Sequence, residues 1–200
     1  MKLNRYYEQH VRSFIKNSDM DFLEGKTVLI SGVTGMIGSA LADTICLNGK
    51  NARVLGLGRS KERANRRFSY DWFSKDNFCF IEHDITNPSH IKEHIDYIIH
   101  AASPAYPAAF AKYPVETMTA NFLGSLNLLE LAKENKAKFL FVSSGEVYGE
   151  IAKSTKYEQD YGYIDSMQPR SSYPNSKRAA ETLCVAYAEE YDVETVVVRL

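Results

Sequence analysis

Apolar residues recur along this chain in two alternating rhythms. Short continuous runs occur at 27–30, 52–57, 78–82, 96–100, 139–142 and 194–200. Between several of them lie longer stretches in which apolar residues return every three or four positions. Ile37, Leu41 and Ile45 mark a helix over 36–48, and Met118, Phe122, Leu126, Leu129 and Ala132 mark one over 115–135. A third is predicted over 173–191. Strands that alternate with helices in this way predict an α/β fold, a doubly wound parallel sheet. Ahead of the first strand, Leu3, Tyr7, Val11 and Phe14 fall on one face of an amphipathic helix over 3–17, joined by a linker. The chain therefore divides into an N-terminal helix and linker, 1–24, and a main domain, 25–200. Most of the stripe over 115–135 reads as core, with an exposed remainder available to a second copy.

Two polar connections stand out. Residues 59–67 hold five basic residues and read as a solvated basic loop. Residues 149–172 form a polar loop of about two dozen residues, long enough to suggest a function in a compact domain.

Composition narrows the class. Two hundred residues with 44% hydrophobic content can bury one full core, and a net charge of −1 gives no reason to expect a nucleic-acid or anionic-membrane partner. No run reaches the ~18 apolar residues of a membrane span, and the first 25 residues are too charged for a signal peptide. Cys46, Cys79 and Cys184 have neither metal spacing nor the even count of a disulfide framework, so buried thiols in a reducing cytoplasm are expected.

The candidate chemistry begins where the first strand meets the first helix. The sequence SGVTGMIG, 31–38, places glycines at G-x-x-G-x-x-G. A strand turning on glycines into a helix aims free backbone N–H groups and a positive dipole end at one spot, which suits a pyrophosphate. Gly32 allows the turn, Gly35 the approach of a ligand, and Gly38 the close seating of helix on strand. The competing reading is a glycine turn with no ligand. At the end of the second strand, where dinucleotide folds place an acid for the ribose hydroxyls, this chain has Gly58 and Arg59. An arginine there suits a 2′-phosphate and hence NADP; a plain basic loop is the alternative. Asp84, ending the third strand, could accept from an adenine amino group or simply serve a turn. Ala101, Ala102 and Ser103 follow the fourth strand and are small enough to let a cofactor lie against the backbone. His90, Glu93 and His94 spell H-x-x-E-H, a zinc-peptidase pattern, on what reads as a short polar helix between strands. That context gives no downstream ligand, and no metal is expected.

Tyr173 and Lys177 are four apart at the start of a helix, so both project from one face. A tyrosine of ordinary pKa about 10 is a poor base at neutral pH, and a nearby ammonium would lower it. Ser144, at the end of the fifth strand, is placed to bond the same substrate oxygen.

With these pieces in order, residues 25–200 resemble the extended short-chain dehydrogenase/reductase family, the NAD-dependent nucleotide-sugar epimerases and dehydratases. Within it they look most like the UDP-glucuronate decarboxylases. The resemblance rests on HAASPAYP (100–107), TANFLGSLNLLELAK (119–133), SSGEVYGE (143–150) and PRSSYPNSKRAAETLC (169–184). It implies a Rossmann-type domain with Tyr173 as catalytic base, Lys177 as its partner and a ribose ligand, and Ser144 and Glu146 in the active site. It further implies Gly32, Gly35, Met36, Ile37 and Gly38 at the pyrophosphate, Asp84 and Ile85 at the adenine, and Ala101, Ala102, Ser103 and Asn121 along the cofactor cleft. The implied cofactor is NAD, with NADP left open by Gly58 and Arg59. The implied substrate is a nucleotide sugar oxidised at carbon 4, which then loses carbon dioxide or water before hydride returns. Glu146 disfavours the 4-epimerases, and Gly145 departs from the aspartate of dTDP-glucose-type dehydratases. A homodimer is expected. Relatives continue past the sixth strand into a substrate-binding domain, so that part is expected to be missing beyond residue 200. A 4,6-dehydratase, an epimerase, an NADP-dependent carbonyl reductase and a non-catalytic dinucleotide-binding module remain the alternatives.

Overall fold

The computed structural model describes residues 5–200. Six strands make one parallel sheet: β1 Thr27–Ser31, β2 Arg53–Gly58, β3 Phe78–Glu82, β4 Tyr97–His100, β5 Lys138–Val142 and β6 Thr195–Val198. Their order is β3-β2-β1-β4-β5-β6, every neighbouring pair parallel. Six helices connect or flank them: α1 Arg5–Lys16, α2 Met36–Asn48, α3 Lys61–Arg67, α4 Pro107–Lys112, α5 Pro114–Asn135 and α6 Ser172–Tyr191. This is the doubly wound α/β sheet that the alternating runs predict. The winding reverses between β1 and β4, which opens a crevice at the carboxyl ends of those two strands.

Alternation along the strands assigns each face its core. Val28, Ile30 and Val54 point to one side, where they pack with Val33, Ala42, Ile45 and Cys46 around α2. Leu29, Leu55, Leu57 and Ile98 point to the other and pack against Leu128, Leu129, Ala180 and Cys184 of α5 and α6. Burial on both faces is why the central strands read as unbroken apolar runs.

Several local expectations need correction. The basic stretch after β2 is helical, as α3, because Ser60 caps it by accepting from the Arg63 N–H at 3.2 Å. The H-x-x-E-H stretch is irregular, not helical, and Glu93 is taken by the Arg53 guanidinium. Among the described residues, no three potential metal ligands stand together. A short helix, α4, precedes α5 with no break in the apolar pattern to announce it. The stripe along α5 divides: Leu129 and Ala132 are buried, whereas Met118 and Phe122 are exposed. The connection after β5 is tied by an antiparallel bridge between Glu150 and Tyr163.

The N-terminal helix lies against α2, with Val11 buried and Ile15 packed on the core. Leu3 lies outside the described residues. The spacing places Phe14 on the packing face, but it is exposed; Ile15, one residue on, takes the inward direction. What fastens the helix is a carboxylate. Asp43 of α2 has no exposed surface, and it accepts from the Tyr7 hydroxyl at 2.7 Å, the Trp72 indole N–H at 3.3 Å and the Arg67 guanidinium. One side chain thus gathers α1, α2, α3 and the turn before β3. Removing it would strand a partly buried guanidinium and two further donors. Asp43→Ala should lower the unfolding free energy in a denaturant titration by about 2–4 kcal/mol, with Asp43→Asn losing less because it keeps one acceptor. Equal stability of Asp43→Ala and the parent would contradict this role.

Candidate active site

The crevice between β1 and β4 is lined by backbone. Gly32 follows β1 with φ +69°, and a Cβ on it would stand 2.7 Å from the Ala102 Cα. Only glycine lets the turn and the chain after β4 approach this closely. Gly38 repeats the constraint on the helix, where a Cβ would stand 2.5 Å from the Gly32 carbonyl oxygen. Gly35 begins α2 in extended conformation and supplies no capping side chain. The first N–H groups of the helix, at Met36, Ile37 and Gly38, therefore have no helical partner and face outward with the positive end of the dipole. Met36 itself is 87% exposed. Ala101, Ala102 and Ser103 form the opposite wall, half-buried, and the Ser103 hydroxyl is buried without a partner. Donors without acceptors beside a cradle that any Cβ would fill fit the diphosphate of a dinucleotide.

His100 fixes this floor from below. Its Nδ1 lies 2.8 Å from the Ser31 hydroxyl, which also accepts from the Ala102 N–H at 3.3 Å. Complete burial pushes the imidazole down to about 3, so it is neutral at any working pH.

At the far end of the crevice, Gly58 lies beside Phe80, whose ring a Cβ would meet at 3.1 Å. The tip of β2 thus has little room for the acid found in many dinucleotide folds, and Arg59 beside it is exposed. Asp84 acts as a turn aspartate: one carboxylate oxygen accepts from the Thr86 N–H at 3.0 Å and hydroxyl at 2.9 Å. The backbone bond holds its pKa below the ordinary carboxylate range, and the Arg59 charge adds to this. The Ile85 side chain belongs to the core beneath Gly124, not to the crevice surface.

The reactive end is built on β5 and α6. After β5 the chain makes a single 3-10 turn, Gly145–Tyr148, capped by Ser144, whose hydroxyl accepts from the Glu146 N–H at 3.3 Å. The Ser144 hydroxyl lies close enough to Tyr173 to oppose the rise of the phenol's pKa. Tyr173 is 6% exposed and lies in the first turn of α6. Lys177, one turn on, is buried, donates to the Val142 carbonyl at 2.7 Å, and stands 4.5 Å over the Phe141 ring. The helix is set by α5: Asn121 donates to the Ser176 hydroxyl at 3.0 Å, which donates to the Tyr173 carbonyl at 3.0 Å. Asn121 is fully buried, and its carbonyl oxygen has no partner. Its observed contact is with the tyrosine helix, through Ser176.

Burial raises the Tyr173 pKa, opposed first by the Ser144 hydrogen bond and, more weakly, by Arg170; Glu146 adds to the rise. Lys177 donates to the Val142 carbonyl, and its ammonium lies 5.8 Å from the phenol ring centre.

Two residues at this end escaped the sequence reading. Phe110 of α4 is buried and stacks on the Tyr173 ring, centroids 4.3 Å apart and planes 15° from parallel. Nothing in the pattern of 101–114 marked it. Arg170 does lie inside the PRSSY stretch, and its closeness to Tyr173 was a usable signal. Its guanidinium grips Glu146 with two bonds of 2.9 and 2.8 Å and lies 4.9 Å over Phe110. Both members of the pair line an open cavity of about 850 Å³, with Tyr148, Lys156, Tyr163 and Gln168.

Lys177 also carries a pH signature. Burial lowers its pKa to about 7, against an unfolded value near 10.5. Between those values the unfolded chain binds one more proton, so stability should rise with pH. Between pH 7 and 9 the unfolding free energy should climb by up to about 1.4 kcal/mol per unit from this group. Denaturant titrations of Lys177→Met should lose that slope; a slope equal to the parent's would contradict the burial of the ammonium.

A profile described as the NAD dependent epimerase/dehydratase family matches residues 28–200. The chain is 35% identical over 175 residues to UDP-glucuronic acid decarboxylase 1 of Xenopus tropicalis, covering 88% of this chain and 40% of that protein. It is 36% identical over 176 residues to UDP-glucuronic acid decarboxylase 3 of Arabidopsis thaliana, covering 86% and 49%. The chain thus spans about half or less of the curated relatives it matches. Among solved structures, UDP-glucuronic acid 4-epimerase of Bacillus cereus, in complex with NAD, superposes with a TM-score of 0.68 at 28% identity, over 86% of this chain and 55% of that one. With the glycine cradle, the reversed sheet order and the Ser144, Tyr173 and Lys177 group already in place, these matches mean that the chain belongs to the NAD dependent epimerase/dehydratase family.

Proposed function

We propose that this chain is the cofactor-binding and catalytic part of a nucleotide-sugar decarboxylase acting on UDP-glucuronate. The observation that carries the reading is the buried Tyr173 beside Ser144, with Lys177 buried one helical turn away, at the carboxyl ends of the strands that form the crevice. The decarboxylase relatives and the retained acid at Glu146 support this subclass. NAD would be held by the N–H groups of Met36, Ile37 and Gly38 and by Ala101, Ala102 and Ser103. When bound, it supplies reversible hydride acceptance at the sugar carbon. The solved relative in complex with NAD supports NAD over a cofactor with a further phosphate.

The chain's own part is proton handling and placement. Tyr173 takes the proton of the sugar 4-hydroxyl, and Ser144 bonds the same oxygen and fixes its approach. The Lys177 ammonium, released from the Val142 carbonyl, offsets the phenolate charge. Once carbon 4 is a ketone, the bond from carbon 5 to the carboxylate can break, with its electron pair drawn toward the ketone oxygen beside Tyr173 and Ser144. Phe110, flat on Tyr173, keeps water from the phenol. Pairing of two copies would fall on the exposed start of α5, at Val115, Met118 and Phe122. The three free cysteines fit a reducing compartment such as the cytoplasm. No helix among the described residues is long and apolar enough to cross a membrane.

The test is carbon dioxide release from UDP-glucuronate by the protein at its full natural length. Tyr173→Phe should lower turnover roughly 10²–10⁴-fold while NAD stays bound. Parent-like turnover by that variant would overturn the assignment of Tyr173, and no release by the parent would overturn the reaction.

A further inference from the structure

Tyr173, Lys177 and Glu181 follow one another at four-residue intervals along α6 and so share one face. All three meet the end of β5. Tyr173 lies beside Ser144, and Lys177 donates to the Val142 carbonyl at 2.7 Å. Glu181 takes the residue between them, its Oε1 accepting from the Ser143 hydroxyl at 2.5 Å. Ser143 is buried and directly precedes Ser144.

Arg199, just after β6, holds the Glu181 carboxylate in orientation. It donates through Nε to Oε1 at 3.0 Å and through one terminal nitrogen to Oε2 at 2.7 Å, a fork that fixes direction as well as place. Only 17% and 13% of the two side chains are exposed, so the pair is shielded from the water that weakens surface ion pairs. Arg199 is fixed in turn, since its other terminal nitrogen donates to the Glu158 carbonyl at 2.9 Å and its guanidinium lies 5.0 Å over the Tyr148 ring. Backbone bonds flank Ser144 on both sides: the Ser143 N–H donates to the Val198 carbonyl at 2.8 Å and the Gly145 N–H to the Leu200 carbonyl at 2.6 Å. Those bonds tie the Ser144 turn to the β6 segment, whereas Tyr173 rides on α6. Arg178 joins α6 to the far end of the turn, at the Val147 carbonyl, and Glu181 joins it next to the reacting hydroxyl.

We propose that Glu181 is a positioning residue for the proton transfer: through Ser143 it sets the Ser144 hydroxyl at a fixed distance from the Tyr173 phenol. The link matters most when the Lys177 ammonium leaves the Val142 carbonyl to offset the phenolate, because that release removes the neighbouring tie between α6 and β5. Glu181 and Ser143 act through Ser144 and touch no substrate. The proposal rests on the roles given to Ser144, Tyr173 and Lys177 under the proposed function and adds the residues that fix their spacing.

The test is a cycle of variants in the protein at its full natural length, read by steady-state carbon dioxide release from UDP-glucuronate with NAD present. Ser143→Ala removes the linking hydroxyl and leaves the Glu181–Arg199 pair intact. It should lower kcat about ten- to a hundredfold, with KM and NAD affinity within about twofold of the parent. In a Ser144→Ala background no hydroxyl is left to place, and the same change should alter kcat by less than about twofold. Glu181→Gln should also lower kcat, and adding it to Ser143→Ala should cost less than about twofold more, because both cut one bond. Should Glu181→Gln fail to fold, Ser143→Ala carries the test alone. Hydrogen exchange needs no turnover: Ser143→Ala should speed exchange of the Glu146 and Val147 amides, which bond to Ser144, and leave β1 and α2 unchanged. Parent-like kcat for Ser143→Ala, an equal loss with and without the Ser144 hydroxyl, or unchanged exchange at those amides would overturn the positioning role while the proposed function stood. No release by the parent would overturn the function, and the positioning role with it.

Discussion

The structure depends on one close approach, that of the turn after β1 to the chain leaving β4. Gly32 and Ala102 meet at a separation that leaves no room for a Cβ, and Gly38 seats α2 against the same turn. The crevice exists because these three backbones are pressed together with nothing between them. Ser31 and His100 tie the two strands directly below it, and complete burial keeps that histidine neutral. The groups that would meet a diphosphate are consequently main-chain N–H groups fixed by the sheet. No side chain has to be ordered to form them, so little conformational entropy is lost when a ligand arrives.

The reactive end is built on the opposite principle, from side chains that restrain one another. Asn121 and Ser176 set the first turn of α6, Ser144 caps the turn holding Glu146 and reaches Tyr173, and Phe110 covers the phenol. Lys177 is the costly member. It is a buried ammonium bonded to one carbonyl and two rings, and its lowered pKa brings its charge change close to neutral pH. Burial raises the Tyr173 pKa, and the Ser144 hydroxyl and, more weakly, the Arg170 charge oppose that rise. Two cations stand at different depths here, Lys177 bonded to the Val142 carbonyl and Arg170 to the Glu146 carboxylate.

What the sequence made legible follows from periodicity and spacing. The six strands were readable because burial on both faces writes continuous apolar runs, and the glycine spacing at 32, 35 and 38 named the crevice. Tyr173 and Lys177 were readable because four residues is one helical turn. What stayed hidden depends on contacts between distant segments. Phe110 acquires its place only when α4 folds over α6, and Asp43 looks like a helical surface residue until Tyr7, Arg67 and Trp72 converge on it. The basic stretch after β2 becomes a helix through a single capping serine, a local signal that its charge obscured. The 4.3 Å stack of Phe110 on Tyr173 has no trace in the sequence at all.

The central claim is that the crevice between β1 and β4 is a working dinucleotide site in this chain. Its most direct test is an isothermal titration of the chain with NAD, alongside circular dichroism of the same sample. The account predicts saturable binding of one NAD per chain by a folded protein. A folded chain that takes up no NAD would contradict it.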